Sequence, residues 1–176
     1  DARAALRVVD AALVIVDAVA GVMVQTEKVW EAAEELALPR IVVLNRMDRE
    51  RASLERSLQS LKEACNRAVV PVQLPIGEER SFRGVVDLVS KKAYIFQTDE
   101  SGKFAEAPIP ADMTAAVDAA REALIEMVAE SSDGLMEKFF AEGTLDQAEL
   151  IEGLKASILQ RILSPVFYAS SAFNIG

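Results

Sequence analysis

The chain has 176 residues, of which 51% are hydrophobic and 27% are charged, with a formal net charge of −9 and no histidine. This composition is typical of a compact globular protein and excludes a disordered chain, and the length predicts one domain, or a small domain with an insertion. No apolar run approaches the roughly 20 residues that cross a bilayer, and the opening DARAALRVVD lacks a signal-peptide pattern. We therefore expect a soluble, cytoplasmic protein with no membrane partner.

The charge and the missing histidine exclude several kinds of activity. A net charge of −9 repels phosphate backbones, so we expect no direct nucleic-acid binding by this chain. Without histidine the chain lacks the usual general base, the common nucleophile pairs and the commonest zinc ligand. We therefore predict no catalytic residue and no metal ligand here. The single cysteine, Cys65, lies among apolar helical positions and is predicted to be a buried core thiol.

The first half of the chain alternates strand-like and helix-like segments. The predicted elements are a helix end at 4–9, a strand at 11–16, a helix at 24–38, a strand at 41–44, a helix with Leu54, Leu58, Leu61 and Cys65 facing inward, and a strand at 69–74. The run at 11–16 is continuous and apolar, which is typical of a strand buried on both faces. Pro71 makes the strand at 69–74 an edge or irregular strand. This alternation indicates an α/β fold with a parallel sheet covered by helices.

The alternation stops after residue 83. The segments that follow are two adjacent strands at 84–90 and 91–97, an irregular stretch to Pro110, helices at about 112–130, 132–141 and 146–163, and a last strand at 165–169. Thr144 and Gln147 have the spacing of a capping box at the start of the last helix. The simplest interpretation is an α/β core interrupted by an α+β insertion.

The segment Asn45-Arg46-Met47-Asp48 follows directly on the strand at 41–44 and has the Asn-x-x-Asp spacing used to read guanine. A carboxylate accepts hydrogen bonds from the N1 and N2 hydrogens of guanine and repels the N1 lone pair of adenine, so Asp48 would set base identity. Asn45 would contact the base and tie neighbouring loops together, and Arg46 would lie over the ring. The competing interpretation is an ordinary strand-to-helix turn capped by Asp48.

A second candidate base loop, Ser171-Ala172-Phe173, follows the predicted strand at 165–169. A turn of small residues offers backbone amides to the O6 oxygen of guanine. Because α/β folds place their ligands at the carboxyl ends of parallel strands, two such loops at two strand ends favour a base site over an isolated turn.

Several longer stretches carry a resemblance to a known family. The run DAVAGVMVQTEKVWEAAEELALPRIVVLNRMDR, then LPIGEERSFRGVVDLVSKKAY, IPAD, MVAESSDGLMEK and the terminal SAFNIG, resembles the GTP-binding domain of elongation factor G along almost its whole length. The resemblance implies a partial P-loop GTPase-type parallel sheet. It also implies that residues 1–74 and 164–176 are the C-terminal part of the GTP-binding domain and that 75–163 are its inserted α+β subdomain.

The resemblance also carries expectations about sites and function. It implies that Asn45, Arg46 and Asp48 form the guanine-specificity loop and that Ser171, Ala172 and Phe173 form the second base loop. Intact members use GTP and Mg²⁺ and hydrolyse GTP on the ribosome, to drive translocation or recycling. In this family the inserted subdomain meets the ribosomal stalk protein.

This sequence departs from the family pattern at three places. Arg46 stands where the family usually has lysine, and SAFNIG replaces the usual SAFKNKG. The sequence also contains neither a phosphate-binding Gly-rich loop with its lysine nor the Asp-x-x-Gly-His segment that holds the catalytic histidine of the family. We therefore expect this chain alone to bind GTP or GDP weakly or not at all, and to hydrolyse none.

Two further expectations concern partners. The resemblance places the phosphate-loop strand beside the strand at 11–16, so an unpaired apolar edge there predicts self-association. The acidic residues Asp118, Glu122, Glu126 and Glu130 would allow docking to a basic partner such as the stalk protein, although a solvated helix face explains the same charges. A dinucleotide oxidoreductase is excluded because no Gly-x-Gly-x-x-Gly follows any strand.

Overall fold

A computed structural model describes residues 2–65 and 68–176. The strands are β1 (Ala12–Asp17), β2 (Arg40–Asn45), β3 (Ala68–Pro71), β4 (Gln73–Ile76), β5 (Gly84–Asp87), β6 (Lys92–Phe96), β7 (Phe104–Ala107) and β8 (Leu163–Tyr168). The α-helices are α1 (Ala2–Ala5), α2 (Val24–Glu35), α3 (Leu54–Ala64), α4 (Thr114–Ala129), α5 (Asp133–Glu142) and α6 (Gln147–Leu159). Single 3₁₀ turns lie at Leu6–Val8, Glu79–Ser81 and Ala111–Met113.

The strands form two four-stranded sheets. The first has the order β1-β2-β8-β3 and is parallel throughout. The second has the order β4-β5-β6-β7 and is antiparallel throughout. The predicted α/β parallel sheet with an α+β insertion is therefore confirmed as a fold class, and β5 and β6 lie outside the parallel sheet. Residues 75 and 163 as the limits of the insertion stay a prediction.

The strand predicted at 69–74 is divided between the two sheets. Its first part, β3, pairs with β8 at the edge of the parallel sheet, whereas β4 pairs with β5 in the antiparallel sheet. Val72 joins them, since its N–H donates to the Val166 carbonyl at 3.2 Å and its own carbonyl accepts from the Leu88 N–H at 3.0 Å. One residue therefore bonds to both sheets, and the chain passes between them without a loop.

The two sheets also share their hydrophobic cores. In the first core, Met47 and Tyr168 of the parallel-sheet side are buried together with Phe82 and Val85 of the antiparallel-sheet side. The second core joins residues of β3 and β8 to residues of β5 and to the inner face of α4, including Val70, Leu163, Val86, Leu124 and Val128. Because neighbouring residues of β5 point into different cores, the antiparallel sheet packs against the rest of the molecule on both of its faces.

Three details differ from the sequence expectations. The strand at 11–16 was predicted to be buried on both faces, but Leu13 and Ile15 are each 61% exposed, because one face of the edge strand β1 is open to solvent. The stretch before Pro110 was predicted to be irregular, but it contains β7, which forms by pairing with β6. The capping box of α6 is formed by Asp146 and Glu149, not by Thr144 and Gln147.

Other local expectations are confirmed. Leu61 and Cys65 are buried on the inner face at the end of α3, with Leu54 and Leu58 packed beside them. Burial raises the pKa of the Cys65 thiol to about 11, although the nearby Arg40 charge opposes the rise. Within the described ranges, none of the helices combines the length and the apolar character that crossing a membrane requires.

The capping box gives a stability prediction. Asp146 accepts the Glu149 N–H at 2.9 Å and Glu149 accepts the Asp146 N–H at 3.0 Å. Asp146→Ala should therefore lower the free energy of unfolding by about 1 kcal/mol. The matched control Thr144→Ala should change it by less than about 0.5 kcal/mol, since Thr144 caps nothing at this helix start. Urea denaturation of the two variants measures both, and an equal loss in the two would contradict the assignment.

Candidate functional site

Three strands of the parallel sheet end side by side at one edge of the molecule. In the register of the sheet Asp17 lies opposite Asn45, and Leu44 lies opposite Tyr168. The loops that follow β1, β2 and β8 therefore emerge together at the carboxyl edge, where parallel sheets place ligands. We call residues 45–48 the first loop and residues 170–175 the second loop.

The Asn45 side chain joins the two loops. Its Oδ1 accepts the Arg46 N–H at 2.8 Å and the Ser171 N–H at 3.0 Å, and its Nδ2 donates to Ser171 Oγ at 2.9 Å. One amide side chain thus makes one bond within its own loop and two across to the other. The structure brings together the two segments that the sequence analysis singled out, although they are separated by more than a hundred residues.

Asp48 is held between the same loops. Its side chain is 10% exposed, and its Oδ1 accepts a hydrogen bond from Ser170 Oγ at 2.5 Å. The neighbouring Met47 is fully buried and its N–H donates to the Ala169 carbonyl at 3.2 Å. Asp48 does not cap the next helix, because α3 begins at Leu54 with Ser53 as its N-cap. The competing interpretation of Asp48 as the cap of a strand-to-helix turn is therefore wrong.

The second loop is closed on itself by backbone hydrogen bonds. The Ser170 N–H donates to the Ile175 carbonyl at 2.8 Å, and the Ile175 N–H donates back to the Ser170 carbonyl at 3.1 Å. Phe173 also donates its N–H to the Ser170 carbonyl at 3.2 Å, while its side chain is 40% exposed. This compact turn holds Ala172 and Phe173 at the surface instead of letting them fray.

Arg46 bridges the first loop to the end of β1. Its Nη1 lies 2.8 Å from Asp17 Oδ2, and it has a left-handed backbone with φ of 67°. Burial raises the pKa of the Asp17 carboxyl, but the N–H groups of Val19 and Ala20 and the Arg46 guanidinium together outweigh it and hold that pKa below its usual value. Arg46 was expected to lie over a base, and in the structure its guanidinium is paired with Asp17.

An open cleft of about 980 Å³ lies at this edge of the sheet. Its lining includes four of the six predicted base-contacting residues: Arg46, Asp48, Ala172 and Phe173. The other two, Asn45 and Ser171, do not line it and are bonded to each other. The antiparallel side of the molecule also contributes to the lining, through Glu79, Arg80, Phe82 and Thr98.

Sequence reasoning missed several of these residues. Asp17 is the last residue of β1, as Asn45 is the last residue of β2, so its position at a strand end could have identified it as a site residue. Ser170 directly precedes the predicted loop and was a candidate by proximity alone. Phe82 and Thr98 gave no local signal, since their place in the cleft depends on how the antiparallel sheet packs.

The predicted docking residues lie elsewhere. Asp118, Glu122, Glu126 and Glu130 are all exposed along α4 and its C-cap. Asp118 is paired with Lys91 at 2.6 Å. None of the four lines the cleft.

Comparison with known proteins places this geometry in a family. The family model described as "Elongation factor Tu GTP binding domain" matches residues 1–173. A crystal structure of a protein from Thermus thermophilus superposes with a TM-score of 0.88 at 33% sequence identity over 99% of this chain, and this chain spans 26% of the length of that one. Because the family model covers nearly all of its residues, the chain belongs to the elongation factor Tu GTP-binding domain family.

Proposed function

We propose that the cleft between the two loops binds the base of a guanine nucleotide, with Asp48 as the residue that selects guanine. The observation that supports this is the placement of the Asp48 carboxylate in the cleft, 10% exposed and fixed by Ser170. The Ser170 bond uses one acceptor position of Oδ1, and a carboxylate has about four such positions. The Arg49 Nε lies 3.7 Å from the other oxygen, Oδ2, which is too long for a hydrogen bond, and Arg49 is 62% exposed. Enough acceptor capacity therefore remains for the two hydrogens that guanine presents at N1 and N2.

The other site residues have supporting roles in this proposal. Asn45 and Ser171 fix the two loops relative to each other, and Ala172 and Phe173 present the second loop to the base edge. Arg46 supplies a planar cation that can stack on the ring. To stack on the ring, Arg46 must give up its ion pair with Asp17, in which the two side chains are 59% and 22% exposed. An ion pair this accessible is worth roughly 0–1 kcal/mol, so the exchange has a low cost.

The groups that would bind the phosphates and the metal ion of a nucleotide differ from those that read its base. The sequence holds no Gly-rich phosphate loop with a lysine, and most affinity for GTP comes from groups around its phosphates. In the described ranges no group of three or more acidic, cysteine or histidine side chains is placed to share a metal ion, and we assign no Mg²⁺ ligand to this chain. The base site of this chain is therefore proposed to bind weakly and to discriminate between bases.

We further infer that the intact protein is a GTPase of the elongation factor G type that acts on the ribosome in translocation or recycling. The support is the stretches quoted above, among them MVAESSDGLMEK and SAFNIG, and the antiparallel sheet followed by α4, α5 and α6. GTP hydrolysis, Mg²⁺ and the ribosome belong to this proposal for the intact protein.

A second proposal concerns the acidic residues on α4. Glu122, Glu126 and Glu130 are exposed at intervals of one helical turn, an arrangement that suits docking of a basic partner such as the ribosomal stalk protein. Asp118 contributes less charge because Lys91 is paired with it. The affinity of a basic peptide should fall in the double variant Glu122→Gln, Glu126→Gln. An unchanged affinity would contradict the docking proposal and would leave a solvated helix face as the explanation of these charges.

We also propose that the chain self-associates through β1. Among the described strands β1 pairs only with β2, and Leu13 and Ile15 are 61% exposed. An exposed apolar edge recruits other strands, although a net charge of −9 opposes it at low salt. Sedimentation velocity in moderate salt should show association that Ile15→Lys abolishes. The matched control Val8→Lys changes a side chain that is 84% exposed outside the strand and should leave association unchanged.

The base site gives the most specific prediction. Titration with GDP, GTP and ATP should show weak binding that favours guanine by about fivefold or more, because pairing a carboxylate with adenine leaves polar groups unsatisfied at a cost of about 1–3 kcal/mol. Asp48→Asn should remove this preference. The matched control Asp112→Asn makes the same chemical change at an exposed site outside the cleft and should retain it.

Addition of Mg²⁺ to the same titrations should release no phosphate from GTP. Equal affinity for GTP and ATP in the native chain would contradict the proposal. So would an Asp48→Asn variant that still prefers guanine.

A further inference from the structure

The antiparallel sheet contacts the second loop through Asn174. The Asn174 Nδ2 donates to the Glu100 carbonyl at 2.7 Å, within the turn that connects β6 to β7. Asn174 itself has a left-handed backbone with φ of 52°. On the other side of this contact, a Cβ atom at Gly102 would lie 3.4 Å from Asn174 Cβ, so the turn and the loop are packed against each other.

The same sheet contacts the segment after the first loop through Glu79. The Glu79 Oε1 accepts the Arg51 N–H at 2.7 Å. Glu79 begins the 3₁₀ turn that connects β4 to β5, and Arg51 has a φ of 69°. Neither Arg51 nor Asn174 lies in a helix or strand. The backbone bonds between Ser170 and Ile175 close the second loop on itself, and the bonds of Asn174 and Arg51 to the antiparallel sheet add a constraint that fixes these segments relative to that sheet.

An apolar contact lies between these two hydrogen bonds. Phe82 and Val85 of the antiparallel side share one buried core with Met47 of the first loop and Ile175 of the second. All four side chains are 5% exposed or less. The ion pair between Arg80 and Glu50 also spans the boundary, but the side chains are 85% and 72% exposed, so it adds little.

We propose that Glu79 and Asn174 are positioning residues of the guanine site, and that through them the arrangement of the antiparallel sheet and the binding of guanine are coupled. This rests on the proposed function of the cleft. The loops contribute the groups that read the base. The turns of the antiparallel sheet hold the second loop at Asn174 and the segment directly after the first loop at Arg51, and so constrain the spacing of the two loops. By linkage, the two effects have the same coupling free energy. Guanine bound in the cleft stabilises the contacts of the turns by the amount of free energy that these contacts add to guanine binding.

Matched substitutions separate this role from general damage. Glu79→Ala removes the acceptor, whereas Glu79→Gln keeps an oxygen at the same position and should bind within about twofold of the native chain. Asn174→Asp tolerates the left-handed backbone but replaces the donor with an acceptor that repels the Glu100 carbonyl. Asn174→Gly also allows this backbone and has no donor, so it repeats the test without added charge.

The measurement is a titration of each folded variant with guanosine monophosphate, followed by ¹H–¹⁵N spectra of the backbone amides. We expect Glu79→Ala, Asn174→Asp and Asn174→Gly to lower affinity by about threefold to tenfold, the effect of one lost hydrogen bond. In the native chain the amides of residues 101–103 should shift with the ligand. In the two Asn174 variants those shifts should disappear, while the shifts at residues 45–48 remain.

The outcomes separate the two proposals. Native affinity in Glu79→Ala and both Asn174 variants would overturn the positioning role while the base site stands. An equal loss of affinity in Glu79→Gln and Glu79→Ala would also overturn it, because the acceptor would then not matter. A native chain whose amides at 45–48 do not respond to guanosine monophosphate would overturn the base site itself, and the positioning role with it.

Discussion

The site depends on one side chain, the amide of Asn45, which makes three hydrogen bonds at the meeting point of two loops. Both loops leave neighbouring parallel strands at the same edge, so the backbone brings them close but does not fix how they face each other. Asn45 does so because an amide both donates and accepts, and Ser171 offers one partner of each kind. Aspartate lacks the donor and leucine lacks both, so neither could replace it.

The two charged residues of the first loop differ in how firmly the fold holds them. Asp48 is 10% exposed and accepts a hydrogen bond from the Ser170 hydroxyl, with Arg49 3.7 Å from its other oxygen, whereas Arg46 is 59% exposed and is paired with Asp17. A group that selects a base must keep its geometry, and a group that covers the base must move to admit it. The difference in burial agrees with the division of roles that we propose. The antiparallel sheet completes this arrangement, since Phe82 and Val85 support the loops through their apolar contact with Met47 and Ile175.

Sequence patterns predicted what depends on neighbours in the chain. The alternation of strands and helices and the buried face of α3 follow from periodicity. One long-range expectation, that the loops after β2 and β8 lie close together, follows from the rule that parallel strands end at the same edge. What failed depends on distant neighbours. The sequence FAEA of β7 has no β-branched residue and becomes a strand only beside β6. Leu13 and Ile15 look like core residues because their run is continuous and apolar, and although an unpaired edge was expected at β1, the run does not show that one face of the strand is open to solvent. Phe82 and Thr98 join the site through the packing of the antiparallel sheet, which no local pattern encodes.

If the Asp48 carboxylate reads the base by its hydrogen-bond pattern, a change of this side chain should exchange the base specificity, and that exchange is the most direct test. Xanthine carries a carbonyl where guanine carries the N2 amino group, so it presents one donor and one acceptor to the residue at this position. Calorimetric titration of the native chain and of Asp48→Asn with guanosine and xanthosine monophosphates compares the two patterns. The native chain should prefer guanosine and the variant should prefer xanthosine, because the asparagine amide donates to the new carbonyl. The same order of affinities in both chains would contradict it.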